Sequence, residues 1–341
     1  MKYLLTLFVL ILASCQSPND NSVTTSDTFF ILCEGNFGSS NATLWTLDED
    51  FTQTTGPVHW DPNANPLGDV AQSLTVAGDN LYIVVNNSHT IEVMDLSADG
   101  PTYNRTIDIP GASPRYLEVY AEKAYVSCWG LKGILVIDLT TDDFLDTIAV
   151  NGMPEDLEIQ DQSLYAGLVM DPFWGSEDKI LKIDLTSQPV IIDSFTVVPG
   201  PERLLLQGNT LYVASTYYDA NWAAHRGMSA IDLTNGNVVI VDRGTSDGSL
   251  SDMVLFQDEV YQLYDGGAVP LTASLQPDTT RKIGDFPQAY SLGVLNQYLI
   301  FGTTDYVAPD EVIIVNKANE IIAELPVGAL PGDFAAYANR N

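Results

Sequence analysis

The stretch from Ser113 to Val150 decides the fold. It contains Pro114-Arg115-Tyr116-Leu117-Glu118-Val119, Ala124-Tyr125-Val126-Ser127, Ile134-Leu135-Val136-Ile137-Asp138-Leu139 and Asp146-Thr147-Ile148-Ala149-Val150. Each run is rich in β-branched and aromatic residues, and polar or Gly/Asp-containing gaps separate them, the signature of consecutive antiparallel strands. The pattern then restarts at Met153-Pro154-Glu155-Asp156-Leu157-Glu158-Ile159, followed by Leu164-Tyr165. A four-stranded sheet cannot bury both faces alone, but copies arranged around an axis can, which gives a β-propeller.

Working outward, the second-strand signature recurs at Phe29-Phe30, Leu81-Tyr82, Ala124-Tyr125, Leu164-Tyr165, Leu211-Tyr212, Val260-Tyr261 and Tyr298-Leu299. The mean spacing is about 45 residues, within the range of propeller blades. The third-strand signature, an alternating run ending in Asp-Leu, ends at Asp95, Asp138, Asp184 and Asp232, with weaker forms at Trp45 to Asp48 and Val315-Asn316. The sixth copy is degraded at Val269-Pro270. Seven four-stranded blades are therefore expected. The first-strand signature, Pro followed shortly by an apolar residue, precedes every second strand except the first and reappears at Pro331-Gly332-Asp333-Phe334. The C-terminus should then supply the first strand of the N-terminal blade, closing the ring and covering two edges.

The chain has 45 acidic and 14 basic residues, a formal net charge of −31. That excess excludes nucleic acid as an expected partner, because nothing would neutralise phosphates, and the plain reading is a strongly hydrated surface. After the first fifteen residues no segment is apolar for long enough to span a bilayer. At the start, Met1-Lys2 precedes the apolar run Tyr3 to Ile11, too brief for a span, and Leu12-Ala13-Ser14-Cys15 resembles a bacterial lipobox. The expected organisation is a lipoprotein signal peptide over residues 1–14, a flexible polar tether over 15–28 carrying lipid on Cys15, and the propeller over 29–341. Cys33 and Cys128 fall three residues after the second-strand aromatic of blades one and three, which are not neighbours. Their Cα atoms should lie beyond the ~7 Å a disulfide tolerates, leaving free, mostly buried thiols.

In this order, Leu-Tyr-Val, Val-Ile-Asp-Leu-Thr, Thr-Ile-x-Val and Pro-x-x-Leu resemble the YVTN-type β-propeller repeats of bacterial surface and periplasmic proteins, over nearly the whole mature chain. The opening Phe30-Ile31-Leu32-Cys33-Glu34-Gly35-Asn36-Phe37-Gly38, Asn41-Ala42-Thr43-Leu44, and the pair Ser113-Pro114-Arg115-Tyr116-Leu117-Glu118 and Pro154-Glu155-Asp156-Leu157 narrow it. With the lipobox, these look like the BtuG-type lipoproteins. The resemblance implies a cell-surface or outer-membrane location, capture of cobalamin or a related corrinoid, and its transfer to a TonB-dependent transporter.

In a propeller the first strand begins, and the second ends, on one face, whose loops surround the channel mouth. The inner-strand starts place Gln72, Arg115, Glu155, Asp156, Glu202, Arg203, Asp252, Gln288, Tyr290 and Asp333 there. The loops after second strands add Asn36-Phe37, Asn86-Asn87, Trp129, Phe173-Trp174, Tyr217-Tyr218 with Trp222, Tyr264-Asp265 and Asp305-Tyr306. Such a rim suits a planar, amide-fringed ligand, with ring area for its face and polar groups for its edge. The structural alternative is that the rings pack between long loops. Arg115 and Arg203 either grip a ligand oxygen or pair with Glu155, Asp156 or Glu202; the pairing is favoured. The repeated Asp95, Asp138, Asp184 and Asp232 read as turn caps rather than metal ligands.

His59, His89 and His225 are isolated, and no His/Cys spacing resembles a zinc site. Calcium at Asp171, Glu177 and Asp178 fits no loop pattern. No resident cofactor is expected. The leading reading is a membrane-anchored, non-catalytic binding protein. A calcium-dependent lactonase is the runner-up; Glu34, Asn86 and Asp252 are available for it without a motif that selects them. A protein-interaction scaffold or adhesin is third.

Overall fold

A computed structural model of the chain describes residues 27–58, 67–97, 100–245, 248–307 and 309–338. Cys15, its lipobox, most of the tether and His59 lie outside the described residues. The described chain forms seven antiparallel sheets in a ring, a β-propeller. The inner strands, in blade order, are Pro331–Ala338, Ala71–Ala77, Pro114–Tyr120, Met153–Gln160, Pro201–Gln207, Ser249–Phe256 and Ala289–Leu295. Each contacts the inner strand of the next blade, and the seventh returns to the first.

Closure occurs as the repeat requires. The C-terminal strand Pro331–Ala338 pairs antiparallel with Asp27–Cys33, placing Phe334 opposite Ile31 and Tyr337 opposite Thr28. Middle strands are buried on both faces because blades stack face to face, so they read as continuous apolar runs. Leu81 to Val85 and Ala124 to Cys128 are buried without a break. Outer strands such as Thr102–Asp108 alternate toward solvent. The apolar residues divide into seven clusters, one at each interface between blades.

One blade departs from the expected four strands. Blade 6 has three, Ser249–Phe256, Glu259–Tyr264 and Gly267–Pro270. Pro270 lacks an N–H and ends its strand. The chain then makes isolated bridges, Ala268 to Ile283 and Leu271 to Pro277, instead of an outer strand.

Polar groups sew adjacent inner strands together. Asp333 accepts from the Leu74 N–H (2.9 Å), Asp156 from Leu204 (2.8 Å) and Asp252 from Leu292 (3.1 Å). Ser73 and Thr75 donate to the Arg115 and Leu117 carbonyls (2.8 Å each), and Ser291 to that of Pro331 (2.6 Å). Asp138, Asp184 and Asp232 cap their turns by accepting from the N–H groups of Thr140, Thr186 and Thr234. Asp95 differs, taking the Asn104 side chain instead. Cys33 and Cys128 are free and buried, and burial pushes each thiol up to about 12.

Removing the chain after Gly328 deletes the strand that closes blade 1 and bares two sheet edges. The truncated protein should lose its cooperative thermal transition and elute as larger species. A monomer that still melts cooperatively would show that closure is dispensable.

Candidate functional site

The site is built by a bulge repeated at the start of every inner strand. Pairing with the second strand skips Gln72 in blade 2, Arg115 and Tyr116 in blade 3, Glu155 and Asp156 in blade 4, and Glu202 in blade 5. It also skips Leu250 to Asp252, Tyr290 and Gly332 in blades 6, 7 and 1. Unpaired residues in a bulge are re-aimed out of the pleat, and all of these except Asp156 line one cavity at the channel mouth. Glu34, Arg203, Gln288, Thr304, Asp305 and Tyr306 complete its wall, and its volume is about 700 Å³.

Both mouth arginines are held by carboxylates. Arg115 reaches Glu155 with Nη2 at 2.5 Å and Nε at 3.0 Å, bonds the Gln72 side chain through Nη1, and lies 4.5 Å above the Trp129 ring. This is the pairing expected for Arg115. Arg203 instead pairs with Asp252 at 3.0 Å, not with Glu155, Asp156 or Glu202. It also lies 4.8 Å over the Tyr116 ring and bonds that hydroxyl. The bulge accounts for the difference, because it turns Glu202 toward Ser251 and leaves Asp252 facing Arg203. Asp252 thus serves two neighbours, Arg203 through Oδ1 and the Leu292 N–H through Oδ2.

Burial raises the acids of the hub. Glu34 is pushed up to about 7, opposed by the hydrogen bond from Tyr290 and by Arg203. Asp156 rises to about 7 and Asp333 to about 6, each opposed by Arg203 and by backbone N–H donors. On the neighbouring inner strands of blades 3 and 4, Glu118 and Glu158 rise to about 8 through burial and the charge of Asp156.

Arg115, Glu155, Arg203, Tyr290 and Tyr306 therefore meet at one cavity, with Asp156 tied to the next inner strand. Trp129 forms a floor under Arg115, and Trp174 packs edge-on against it at 6.4 Å. Phe37, Phe173, Tyr218 and Trp222 project into solvent. Others make framework contacts: Asn86 donates to the Pro114 carbonyl, Tyr217 stacks on His225 and donates to Asp242, and Tyr264 lies beside Gly248. The Asp265 carbonyl accepts from Lys282. Of the three residues available for a lactonase, Glu34 and Asp252 line the cavity and Asn86 does not. Among the described residues, no three His, Cys, Asp or Glu side chains are placed to hold a metal ion.

Sequence reasoning passed over Tyr116, Glu118 and Glu158. The available signal was a Glu four residues after Pro, between two apolar residues, in both inner strands, and the Pro-x-x-Leu spacing, which leaves room for two bulged residues. It also missed how the loop tips are displayed. Asp171–Gly175 and Asp219–Ala223 are the same five-residue turn, in which the Asp carboxylate accepts two N–H groups at 2.7–2.9 Å. The fourth position is left-handed and carries Trp174 (φ 71°) and Trp222 (φ 62°), which are 67% and 84% exposed. Tyr306 (φ 68°) is likewise left-handed and 63% exposed.

No family model matches the sequence, and no curated protein matches it. Among solved structures, a proposed 6-phosphogluconolactonase from Bacteroides fragilis superposes with a TM-score of 0.66 at 14% identity, covering 93% of this chain and 99% of that one. One from Bacteroides uniformis gives 0.67 at 13%, covering 92% and 100%. Dihydro-heme d1 dehydrogenase NirN, in complex with DHE, gives 0.53 at 12%, covering 91% and 75%. At these identities the likeness is one of fold alone.

The raised carboxyls fix how stability depends on pH. Glu118 and Glu158 hold protons in the folded state from their ordinary 4.5 up to about 8, so their contribution is full below that window and is lost as pH rises through it. The double variant Glu118→Gln/Glu158→Gln should melt higher than the parent at pH 8.5 and nearly alike at about pH 4, by differential scanning calorimetry. An equal shift at both values would contradict the assignment.

Proposed function

We propose that the protein is a non-catalytic, membrane-anchored capture protein that takes a small or medium-sized ligand at the propeller mouth. The observation that carries this is the display of Trp174, Trp222 and Tyr306 on left-handed turns at the mouth end of the propeller, where Tyr306 lines a preformed polar cavity and the two Trp stand outside its lining. A bulky side chain in that region costs about 1–2 kcal/mol, and at these tips little burial offsets it, since Trp174 and Tyr306 touch Trp129 and Tyr290 only edge to face and stay mostly exposed. The same turn occurs at Asn316–Glu320 and Thr272–Gln276. There the left-handed position holds Asn319, a residue suited to it, and Leu275, which is buried in the core between blades 5 and 6. Exposed rings in the strained position are explained by something that docks on them, which the loop-packing alternative does not supply.

The cavity volume suits a ligand of moderate size. A corrinoid is the ligand implied by the resemblance to BtuG-type lipoproteins, with planar area for the tips and amides for the polar wall. Delivery to a TonB-dependent transporter and an outer-membrane or cell-surface location follow from the same reading. The described chain enters the fold at Asp27, the end of its strand opposite the mouth. An anchor on Cys15 would therefore leave the mouth unobstructed.

Calorimetric titration of the soluble domain with cyanocobalamin tests the ligand. Binding at micromolar concentration or tighter is expected, and Trp174→Ala should weaken it by about 1 kcal/mol or more, as for an aromatic anchor. No binding would remove the corrinoid. One observation favours a hydrolase as the second reading: Glu34, raised to about 7, stands in a cleft with Asp252, as a general base would. Stoichiometric calcium in the purified protein, with lactone hydrolysis abolished by Glu34→Gln, would decide for it.

A further inference from the structure

We propose that the mouth selects an organic cation, seating an ammonium or aromatic-cation group against the Tyr290 and Tyr306 rings with the Glu34 carboxylate beside it, and that it discriminates against small free anions such as inorganic phosphate and carboxylates. This rests on the reading that the mouth is the ligand site, and it specifies the chemistry of what enters.

Two walls and a counter-charge are already in place. Tyr290 and Tyr306 stand nearly perpendicular, at 78°, with ring centroids 6.4 Å apart, and both line the cavity. The Tyr290 hydroxyl donates to Glu34 Oε1 at 2.9 Å, and no other described side chain hydrogen-bonds that carboxylate. Gly332 makes the space for it, since a Cβ there would lie 2.2 Å from Oε1. Aromatic faces carry negative quadrupole density and attract cations, most strongly where a carboxylate neutralises the charge.

The charge balance of the wall points the same way. Five carboxylates line the cavity (Glu34, Glu155, Glu202, Asp252 and Asp305) against two guanidiniums, Arg115 and Arg203. Neither guanidinium is free, because Arg115 is held by Glu155 and Gln72 and Arg203 by Asp252 and Tyr116. A phosphate would have to strip one from its partner and leave a part-buried carboxylate uncompensated, which is costly. The cavity therefore lacks the available arginine that anion recognition uses.

The test uses two fluorescent aromatic probes of similar size in 150 mM salt, cationic thioflavin T and anionic 8-anilino-1-naphthalenesulfonate, with cyanocobalamin titrated in parallel. Thioflavin T should bind at least tenfold tighter than the anion. Tyr306→Ala and Glu34→Gln should each lower that affinity at least fivefold, and Tyr306→Phe should retain it. Tyr306 is exposed, so its removal leaves the fold intact, and its loss changes no charge. Unchanged cation binding in Tyr306→Ala would assign the attraction to net charge alone and overturn the proposal, as would equal binding of the two probes. Cyanocobalamin binding without cation selection would sink this inference while leaving the mouth as the ligand site. Cation selection without cyanocobalamin binding would keep it and remove the corrinoid.

Discussion

The structure depends on how the inner edge of each sheet is satisfied. An inner strand is bonded on one side only, and its other edge would leave N–H and C=O groups facing a confined channel, where an unmet group is costly. Side chains cross that edge sheet by sheet around the hub, on backbone groups at some steps and as ion pairs at others. Carboxylates of Asp333, Asp156 and Asp252 accept from the following inner strand, hydroxyls of Ser73, Thr75 and Ser291 reach its carbonyls, and the Arg115–Glu155 and Arg203–Asp252 pairs span the remaining two steps. All seven interfaces are crossed, and the blades hold a fixed register about the axis.

The same residues form the mouth, which ties recognition to architecture. The bulge that frees a side chain from the ladder also points it at the neighbouring blade, so Arg115, Glu155, Arg203 and Asp252 are at once seam and wall. A ligand cannot recruit them without loosening the ring. What remains for it are groups at the edge of the seam: the outer oxygen of Glu34, the Tyr290–Tyr306 corner, and the ring tips above. Recognition at such a hub is preorganised, since rigid strands hold the polar groups before anything arrives.

Much of this was legible in the sequence because a repeat multiplies a weak signal. A single Leu-Tyr pair says little, but seven at regular spacing fix both strand order and closure, and Pro270 marked the irregular copy that proved to be three-stranded. Inner-strand starts were legible as a list of positions. Which acid faces which arginine was not, because that depends on bulges of one to three residues that composition does not encode. Hence Arg203 was matched to the wrong carboxylates and Tyr116 was overlooked. The tips were harder still. Left-handed backbone is ordinarily announced by Gly or Asn, as at Asn319, and Trp174 and Trp222 announce nothing of the kind.

The seven interfaces are not equal, and the weakest shows what the polar seam contributes. Between blades 5 and 6 the fully buried apolar cluster is only Ala214, Met228 and Leu275, where the others hold between seven and thirteen residues. Blade 6 also lacks an outer strand to extend the contact. Polar links cross this interface too. Arg203 meets Asp252, Ser251 meets Glu202, Arg226 donates to the Ser249 carbonyl, and Gln207 to that of Asp258. Arg243 bonds both the buried Gln262 and the carbonyl of Leu275, the residue that plugs the gap. Five of these six interactions use a charged side chain, in a chain with few cations. Three of the scarce arginines, Arg203, Arg226 and Arg243, thus stand where apolar area runs short, and directed hydrogen bonds hold this interface beside its small apolar cluster. The consequence for the site is direct: the arginine nearest the mouth on that side is retained by the fold, and the cavity beside it is left acidic.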